Sequence, residues 1–206
     1  MYQVDYPSVR AVVRRKYAIW MDAYAEIESR CRQTQHGRTL RIDGQHHFLI
    51  MALFSRTVSN TAAAMLVAEH GYNVQSKSLL RTALESMFVL AAIAKNPAMA
   101  EAYVQSGERE IKRKINKTRF WSAGLRSTVQ SRFASEGFKA SSCIAKSTTA
   151  RSLSIEEMAK VAGLHDWYLT GYSVFSDAVH GNIHDLEQQF IRSEDDEIQA
   201  IRSGAI

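Results

Sequence analysis

Residues 79–94 (LLRTALESMFVLAAIA) are apolar on almost every side of a helix, yet they include two charges one helical turn apart, Arg81 and Glu85. A helix that is apolar all round is usually buried. Because a buried charge is costly unless it is paired and hydrogen-bonded, we expect Arg81 and Glu85 to contact each other or polar groups on another helix. This stretch therefore predicts a helical core that contains a polar site.

The composition of the rest of the chain favours an all-α fold. Its two prolines, Pro7 and Pro97, both lie where helices are predicted to begin, and alternating β-branched runs are scarce. A chain of 206 residues can bury a sizeable core within one domain. We expect a helical bundle of five to eight mostly antiparallel helices in residues 1–192, followed by a polar tail in residues 193–206.

Hydrophobic periodicity predicts helices at residues 8–32, 45–70 and 97–122, a further helix that begins at Asn73 or Ser76 and ends near residue 96, and a weaker helix at 125–138. A long late helix is predicted to start near residue 165, with an apolar core stripe that runs from Tyr168 and Tyr172 to Phe190, and Gly181 allows a break in it. The predicted inward face of the second helix consists of Phe48, Met51, Leu53, Phe54, Val58, Ala62, Met65 and Leu66. Ser154 and Glu157 form a capping-box pattern before a short helix. Residues 139–151 are rich in Ser and Thr and predict a mobile loop.

The chemistry of the termini and cysteines predicts a cytoplasmic protein. Cys31 and Cys143 are far apart and lack metal-ligand spacing, which is typical of a reduced compartment. The first ten residues lack the charged-then-apolar order of a signal peptide. No apolar run reaches roughly 18 residues, so we expect no membrane partner.

A second polar cluster lies in the late helix, in the segment SDAVHGNIHDLE at residues 176–187. Ser176 and His180 share one helix face, and Asp177 lies on the adjacent face. Both faces border the apolar stripe, so these side chains are predicted to meet polar groups on a neighbouring helix. Arg81 and Glu85 are the proposed partners. The segment contains His180 and His184 at metal-like spacing, but a third ligand is missing, and we expect no metal.

The segments LLRTALES at residues 79–86 and MAKVAGLHDWYLTGYSVFSDAVHG at residues 158–181 resemble a family of uncharacterised, mainly bacterial helical proteins. That family has an R-x-x-x-E helix and a downstream S-x-x-x-H-G segment, and the resemblance covers about residues 45–186. The pattern is also similar to HEPN helical domains, many of which are RNases or RNA-binding toxin components. The resemblance implies a HEPN-like protein that binds or cleaves RNA in stress or phage defence.

By that resemblance, Arg81, Glu85, Ser176 and His180 match polar positions of the family, and with Asp177 they form the predicted catalytic set. A metal-independent RNase would use His180 to move a proton and Arg81 to stabilise charge on the phosphate, with Glu85 orienting Arg81. HEPN nucleases carry Arg and, four to six residues later, His on one helix, and the late helix lacks that spacing. The RNase hypothesis therefore depends on Arg81 and His180 meeting in space. The alternative is a structural ion pair that fixes helix register.

A basic stretch in the fourth predicted helix is the candidate nucleic-acid contact, and we expect it to be helical and exposed. It consists of Arg109, Lys112, Arg113, Lys114, Lys117 and Arg119, followed by the aromatic pair Phe120 and Trp121. Such a stretch can bind phosphates beside a stacking aromatic, but a solvated helix face has the same pattern.

The sequence also leaves a non-catalytic alternative open, a dimerising helical scaffold or regulator. For either function we expect a homodimer, with RNA or another protein as partner. The chain has no glycine-rich phosphate loop, and we expect no cofactor. A catalytic cluster must open to a cleft, whereas a structural cluster is sealed.

Overall fold

The computed structural model describes residues 6–36, 45–117, 122–125, 127–128, 131, 153–180, 190–192 and 198–201. The described residues include eight α-helices, so the predicted all-helical fold is confirmed. They are α1 (Tyr6–Lys16), α2 (Ala18–His36), α3 (Gln45–Glu69), α4 (Asn73–Lys95), α5 (Ala98–Lys117), α6 (Ile155–Ala162), α7 (His165–Trp167) and α8 (Ser173–His180). A π-helical segment, Tyr168–Tyr172, joins α7 to α8.

Helix α4, which contains the apolar stretch, lies at the centre of the core, as predicted. It packs against α3 along much of its length and also against α6 and α8. Phe88 and Ile93 of α4 and Met158 of α6 are the largest fully buried side chains in the described structure. Leu53 of α3 belongs to the same cluster. Three neighbouring helices therefore cover the sides of α4.

Helices α3 and α4 pack closely together, and both contain small buried residues and hydroxyls that are hydrogen-bonded. Ala64 of α3 and Ala83 and Ser86 of α4 are buried. The Ser86 hydroxyl donates to the carbonyl oxygen of Thr82, one turn back, at 3.0 Å. Thr57 of α3 donates in the same way to Leu53 at 2.8 Å. Because each hydroxyl is bonded within its own helix, it adds no unsatisfied polar group to the interface.

The helix ends follow local sequence signals. Gly71, just after α3, has φ 83°, and Gly163 caps α6 with φ 70°, a conformation that favours glycine at helix C-termini. At the start of α6 the predicted capping box is confirmed. The Glu157 backbone N–H donates to Ser154 Oγ at 3.1 Å, and the Ser154 backbone N–H donates to Glu157 Oε2 at 2.8 Å.

The predicted inward face of α3 is wrong at its two ends, since Phe48 and Leu66 are each 57% exposed. The buried residues Leu53 and Ala64 define the side of α3 that meets the core. At about 100° per residue, Phe48 and Leu66 both lie about 140° around the helix from Leu53. Alternating apolar residues on two faces of α3 made the stripe look wider than the buried face.

The first predicted helix is divided at Tyr17 into α1 and α2, and neither helix has a buried residue. Ile19 is 82% exposed and Trp20 is 73% exposed. Helix α1 is held by polar contacts instead: Glu69 accepts from Arg10 Nε at 2.7 Å and from Arg14 Nη2 at 3.0 Å. The N-terminal helices therefore present apolar side chains to solvent.

Two short strands, β1 (Phe190–Arg192) and β2 (Ile198–Ile201), pair antiparallel, with Phe190 opposite Ile201 and an irregularity between Ile191 and Arg192. The prediction of a helical stripe as far as Phe190 is therefore wrong at that end. Isoleucines in both strands favour extended backbone. The predicted loop at residues 139–151 and most of the predicted helix at 125–138 lie outside the described residues.

By length and composition alone, α3 is long and apolar enough to cross a membrane. The span His46–Glu69 contains an 18-residue window with a mean hydropathy of 1.3, and 11% of that window is buried in the structure. A core helix of a soluble protein meets the same criterion. The expectation that the protein has no membrane partner therefore stays a prediction.

We predict that Ser154→Ala lowers the free energy of unfolding by about 0.5–2 kcal/mol, because the Glu157 N–H loses its capping acceptor. Urea denaturation followed by circular dichroism measures the change. Ser173→Ala is the control, since Ser173 is exposed inside a helical run. Equal stability of the two variants would contradict a stabilising role for the cap.

Candidate functional site

Arg81, Glu85 and Tyr172 form a polar cluster between α4 and the π-helical segment. Arg81 Nε lies 3.3 Å from Glu85 Oε1. The Tyr172 hydroxyl donates to Glu85 Oε1 at 2.9 Å and accepts from Arg81 Nε at 3.3 Å and Nη2 at 3.2 Å. The Arg81 guanidinium carbon also lies 5.3 Å from the centre of the Tyr172 ring. We call these three residues the Arg81 cluster.

The π-helical segment positions Tyr172 for these contacts. Gly171 weakens a regular α-helix, and Thr170 Oγ1 donates to the carbonyl oxygen of Asp166 at 2.7 Å, a type of bond that bends helices. Within the segment the rings of Tyr168 and Tyr172 stack with centroids 5.0 Å apart, and both rings pack edge-on against Phe88. The apolar contacts orient the ring, and the hydroxyl then reaches the two charges.

The Tyr172 hydroxyl is protonated at neutral pH. Burial is the largest effect and raises its pKa above the ordinary value of 10. The hydrogen bond from Arg81 lowers the pKa and the hydrogen bond to Glu85 raises it, and the net shift is upward. The proton therefore lies toward the Glu85 carboxylate, and the oxygen lone pairs accept from the guanidinium. In this state the cluster is charge-balanced, and Tyr172 serves as a neutral bridge between a cation and an anion.

The prediction that Arg81 and Glu85 contact each other on a half-buried face is confirmed, since their side chains are 19% and 33% exposed. The sequence pattern predicts Tyr172 as part of an apolar core stripe and does not reveal its polar role. A usable signal was present, because a buried tyrosine, unlike phenylalanine, needs a hydrogen-bond partner for its hydroxyl. Arg81 and Glu85 also needed a polar partner on the late helix.

The other predicted catalytic residues lie further along α8. Ser176 is half-buried and Asp177 is exposed. Tyr168 contacts Phe88, and Tyr172, later in the chain, contacts Glu85 and Arg81, which are earlier in α4. The late helix therefore runs antiparallel to α4. His180 ends α8, eight residues beyond Tyr172, or about 12 Å along the helix axis. The side chain of His180 lies outside the part of the chain that the structure describes, as does all of His184.

The predicted nucleic-acid stretch is helical as far as Lys117, the last residue of α5. Arg109 differs from the expectation of an exposed face: its side chain is half-buried, and its Nη2 is buried with no hydrogen-bond partner among the described residues. Arg109 lines a groove between α5 and α6, which explains its burial. The structure describes the backbone but not the side chains of residues 111–117, and Arg119 lies outside it.

Among the described residues, no group of three or more His, Cys, Asp or Glu side chains is arranged to hold a metal ion. Cys31, half-buried in α2, is a free thiol, and Cys143 lies outside the described part of the chain. The Arg81 cluster therefore offers charge and hydrogen bonds rather than metal ligands.

Most of the chain matches the model of one protein family. Residues 47–198, more than half of the chain, match the model of DUF5677, a family of unknown function. The chain belongs to the DUF5677 family. The matched region runs from the start of α3 to β2 and so includes the Arg81 cluster and α5. Comparison with curated proteins gives no match, and comparison with solved structures gives none either.

We predict that Tyr172→Phe lowers the free energy of unfolding by about 1–3 kcal/mol, because both charged partners lose a hydrogen bond. Tyr168→Phe is the matched control: Tyr168 stacks on the same ring and packs on the same Phe88, and we expect a change below about 0.5 kcal/mol. Chemical denaturation measures both.

A double-mutant cycle with Glu85→Gln isolates the bond between Tyr172 and Glu85. A favourable coupling energy is expected. If Tyr172→Phe and Tyr168→Phe cost the same, or if the cycle gives no coupling, then the cluster contributes nothing specific to the fold.

Proposed function

We propose that this DUF5677 protein is a HEPN-like helical protein that binds RNA along the basic half of α5. The observation that carries the proposal is the concentration of charge on one continuous helix. Residues 109–117 contain five cations (Arg109, Lys112, Arg113, Lys114 and Lys117) and one carboxylate (Glu110), a net charge of +4. The whole chain has a net charge of +5. A dense run of cations along a helix is the electrostatic feature that phosphate backbones bind.

The geometry favours binding over cleavage by the predicted pair of Arg81 and His180. The Arg81 guanidinium is held on the Tyr172 hydroxyl, and His180 is about two helical turns further along. The contact of 3.3 Å between Arg81 Nε and Glu85 Oε1 supports the part of the RNase hypothesis in which Glu85 orients Arg81. Cleavage would need the His180 side chain to reach back toward Arg81 when RNA is bound.

We predict that affinity for a single-stranded RNA oligomer falls steeply with salt, because each phosphate contact releases counterions. Replacing Lys112, Arg113, Lys114 and Lys117 with Gln should weaken binding and reduce the slope of log K against log salt by about 0.7 per lost contact. Fluorescence anisotropy at several salt concentrations measures both quantities.

The control variant removes four cations elsewhere, with Arg15, Lys16, Arg30 and Arg32 changed to Gln. Arg30 and Arg32 form exposed i,i+4 ion pairs, which contribute little to stability. Equal loss of affinity in the two variants would show that only net charge matters and would contradict RNA binding by α5.

The same samples also test for cleavage. RNA cleavage that persists in chelator and is lost in the His180→Ala and Arg81→Ala variants would extend the function to an RNase.

A second candidate function is a dimerising helical scaffold, and the exposed apolar face of α2 favours it. Ile19, Trp20 and Ile27 lie on one side of α2 and are more than half exposed. Contiguous apolar surface on a soluble protein marks an interaction site. A second copy fits this face, because antiparallel pairing of two α2 helices about residues 23–24 places Trp20 of each copy against Ile27 of the other, as two-fold symmetry requires.

We predict a concentration-dependent dimer that Trp20→Lys with Ile27→Lys dissociates, as measured by sedimentation equilibrium. Trp167→Lys is the control, since Trp167 is also exposed but lies on α7. A wild-type protein that stays monomeric at high concentration, or a control that dissociates equally, would remove α2 as the dimer interface.

A further inference from the structure

A groove of about 530 Å³ lies between α5 and α6, with Val89 of α4 in its lining. Its apolar wall consists of Val89, Tyr103, Val104, Leu153, Ile155 and Met158. A volume of this size is within the range of small-molecule sites. The groove is open where Gly107 lines it, since a Cβ built on Gly107 would meet nothing within 4 Å.

Arg109 supplies the polar end of this groove. Its Nη2 is buried and has no hydrogen-bond partner among the described residues. Buried donors are nearly always bonded, so an unpaired guanidinium N–H calls for an acceptor that the described chain does not provide. Glu110 and Ser106 also line the groove, but each is engaged in an interaction of its own.

We propose that this groove binds a small amphipathic carboxylate, with its carboxylate on Arg109 and its apolar chain along the half-buried side chains of Tyr103, Leu153 and Ile155. The guanidinium fork matches a carboxylate in a bidentate arrangement. The aliphatic wall favours a flexible hydrocarbon chain over a polar or highly charged ligand, because burying apolar surface drives such binding. This site is separate from the Arg81 cluster. It shares Arg109 with the basic half of α5, but its test uses no RNA.

The test is isothermal titration calorimetry of the full chain with three probes. Decanoate carries both features, decanol carries the chain alone, and acetate carries the anion alone. We expect saturable 1:1 binding of decanoate, at least tenfold weaker binding of decanol, and no measurable binding of acetate. Equal affinity for decanoate and decanol, or no saturable decanoate binding, overturns the proposal.

Two variants locate the site. Arg109→Met should weaken decanoate binding at least tenfold, and because it removes an unpaired buried donor it should not lower the melting temperature of the free protein. Arg56→Met is its control, since Arg56 is exposed on α3. Decanoate affinity that is unchanged in Arg109→Met, or reduced equally in Arg56→Met, overturns the assignment of Arg109.

Gly107→Leu tests the groove without touching Arg109. A leucine side chain fits the open space beside Gly107 and narrows the groove, so decanoate affinity should fall while helix propensity improves. Gly124→Leu is the matched control, because Gly124 also has open space and does not line the groove. If Gly107→Leu binds decanoate as tightly as Gly124→Leu, the ligand lies elsewhere.

Discussion

Two opposite charges in the central helix impose the main constraint on this fold. Arg81 and Glu85 lie on the half-buried side of α4, and such charges must be hydrogen-bonded to be tolerated there. Tyr172 provides a hydrogen bond to each charge, because its hydroxyl donates to the Glu85 carboxylate and accepts from the Arg81 guanidinium. Phe88 packs against Tyr168 and Tyr172 alike. Apolar contact alone would tolerate a shift of one turn, whereas the hydrogen bonds select a single register between α4 and the late helix.

The features of this fold that depend on local sequence signals could be predicted, and those that depend on distant partners could not. The buried position of α4 was predictable because a long helix that is apolar on every side is stable only in the interior of the protein. The capping box of Ser154 and Glu157 was predictable because both hydrogen bonds are local. The inward face of α3 was not, because periodicity shows that a helix has apolar sides but not which side meets α4. Leu53 of the predicted inward face is buried, whereas Phe48 and Leu66, about 140° around the helix from it, are exposed.

The polar sites were harder to predict than the core because their partners are distant in sequence. Tyr172 lies 87 residues from Glu85, and its spacing from Tyr168 is the same as that of an ordinary core stripe. The neighbouring cations predict an exposed, charged position for Arg109. Its burial results from α6, which lies more than 40 residues later in the chain and forms the opposite wall of the groove. Composition identifies a basic helix but cannot assign its faces.

Helix α5 joins the proposed groove to the proposed RNA-binding stretch, and this proximity has an energetic consequence. Arg109 lines the groove, and Lys112 and Arg113 follow it at i+3 and i+4, on the same side of the helix. A carboxylate on Arg109 would cancel one positive charge within one turn of these cations. Charges at that distance lie within the Debye length at physiological salt, about 8 Å, so the change is felt by a bound phosphate. Because linkage is reciprocal, RNA bound to the basic half of α5 would lower the affinity of the groove for the carboxylate ligand by the same factor by which the ligand lowers the affinity for RNA. A ligand site and a nucleic-acid surface on one helix therefore oppose each other through charge alone, without any conformational change.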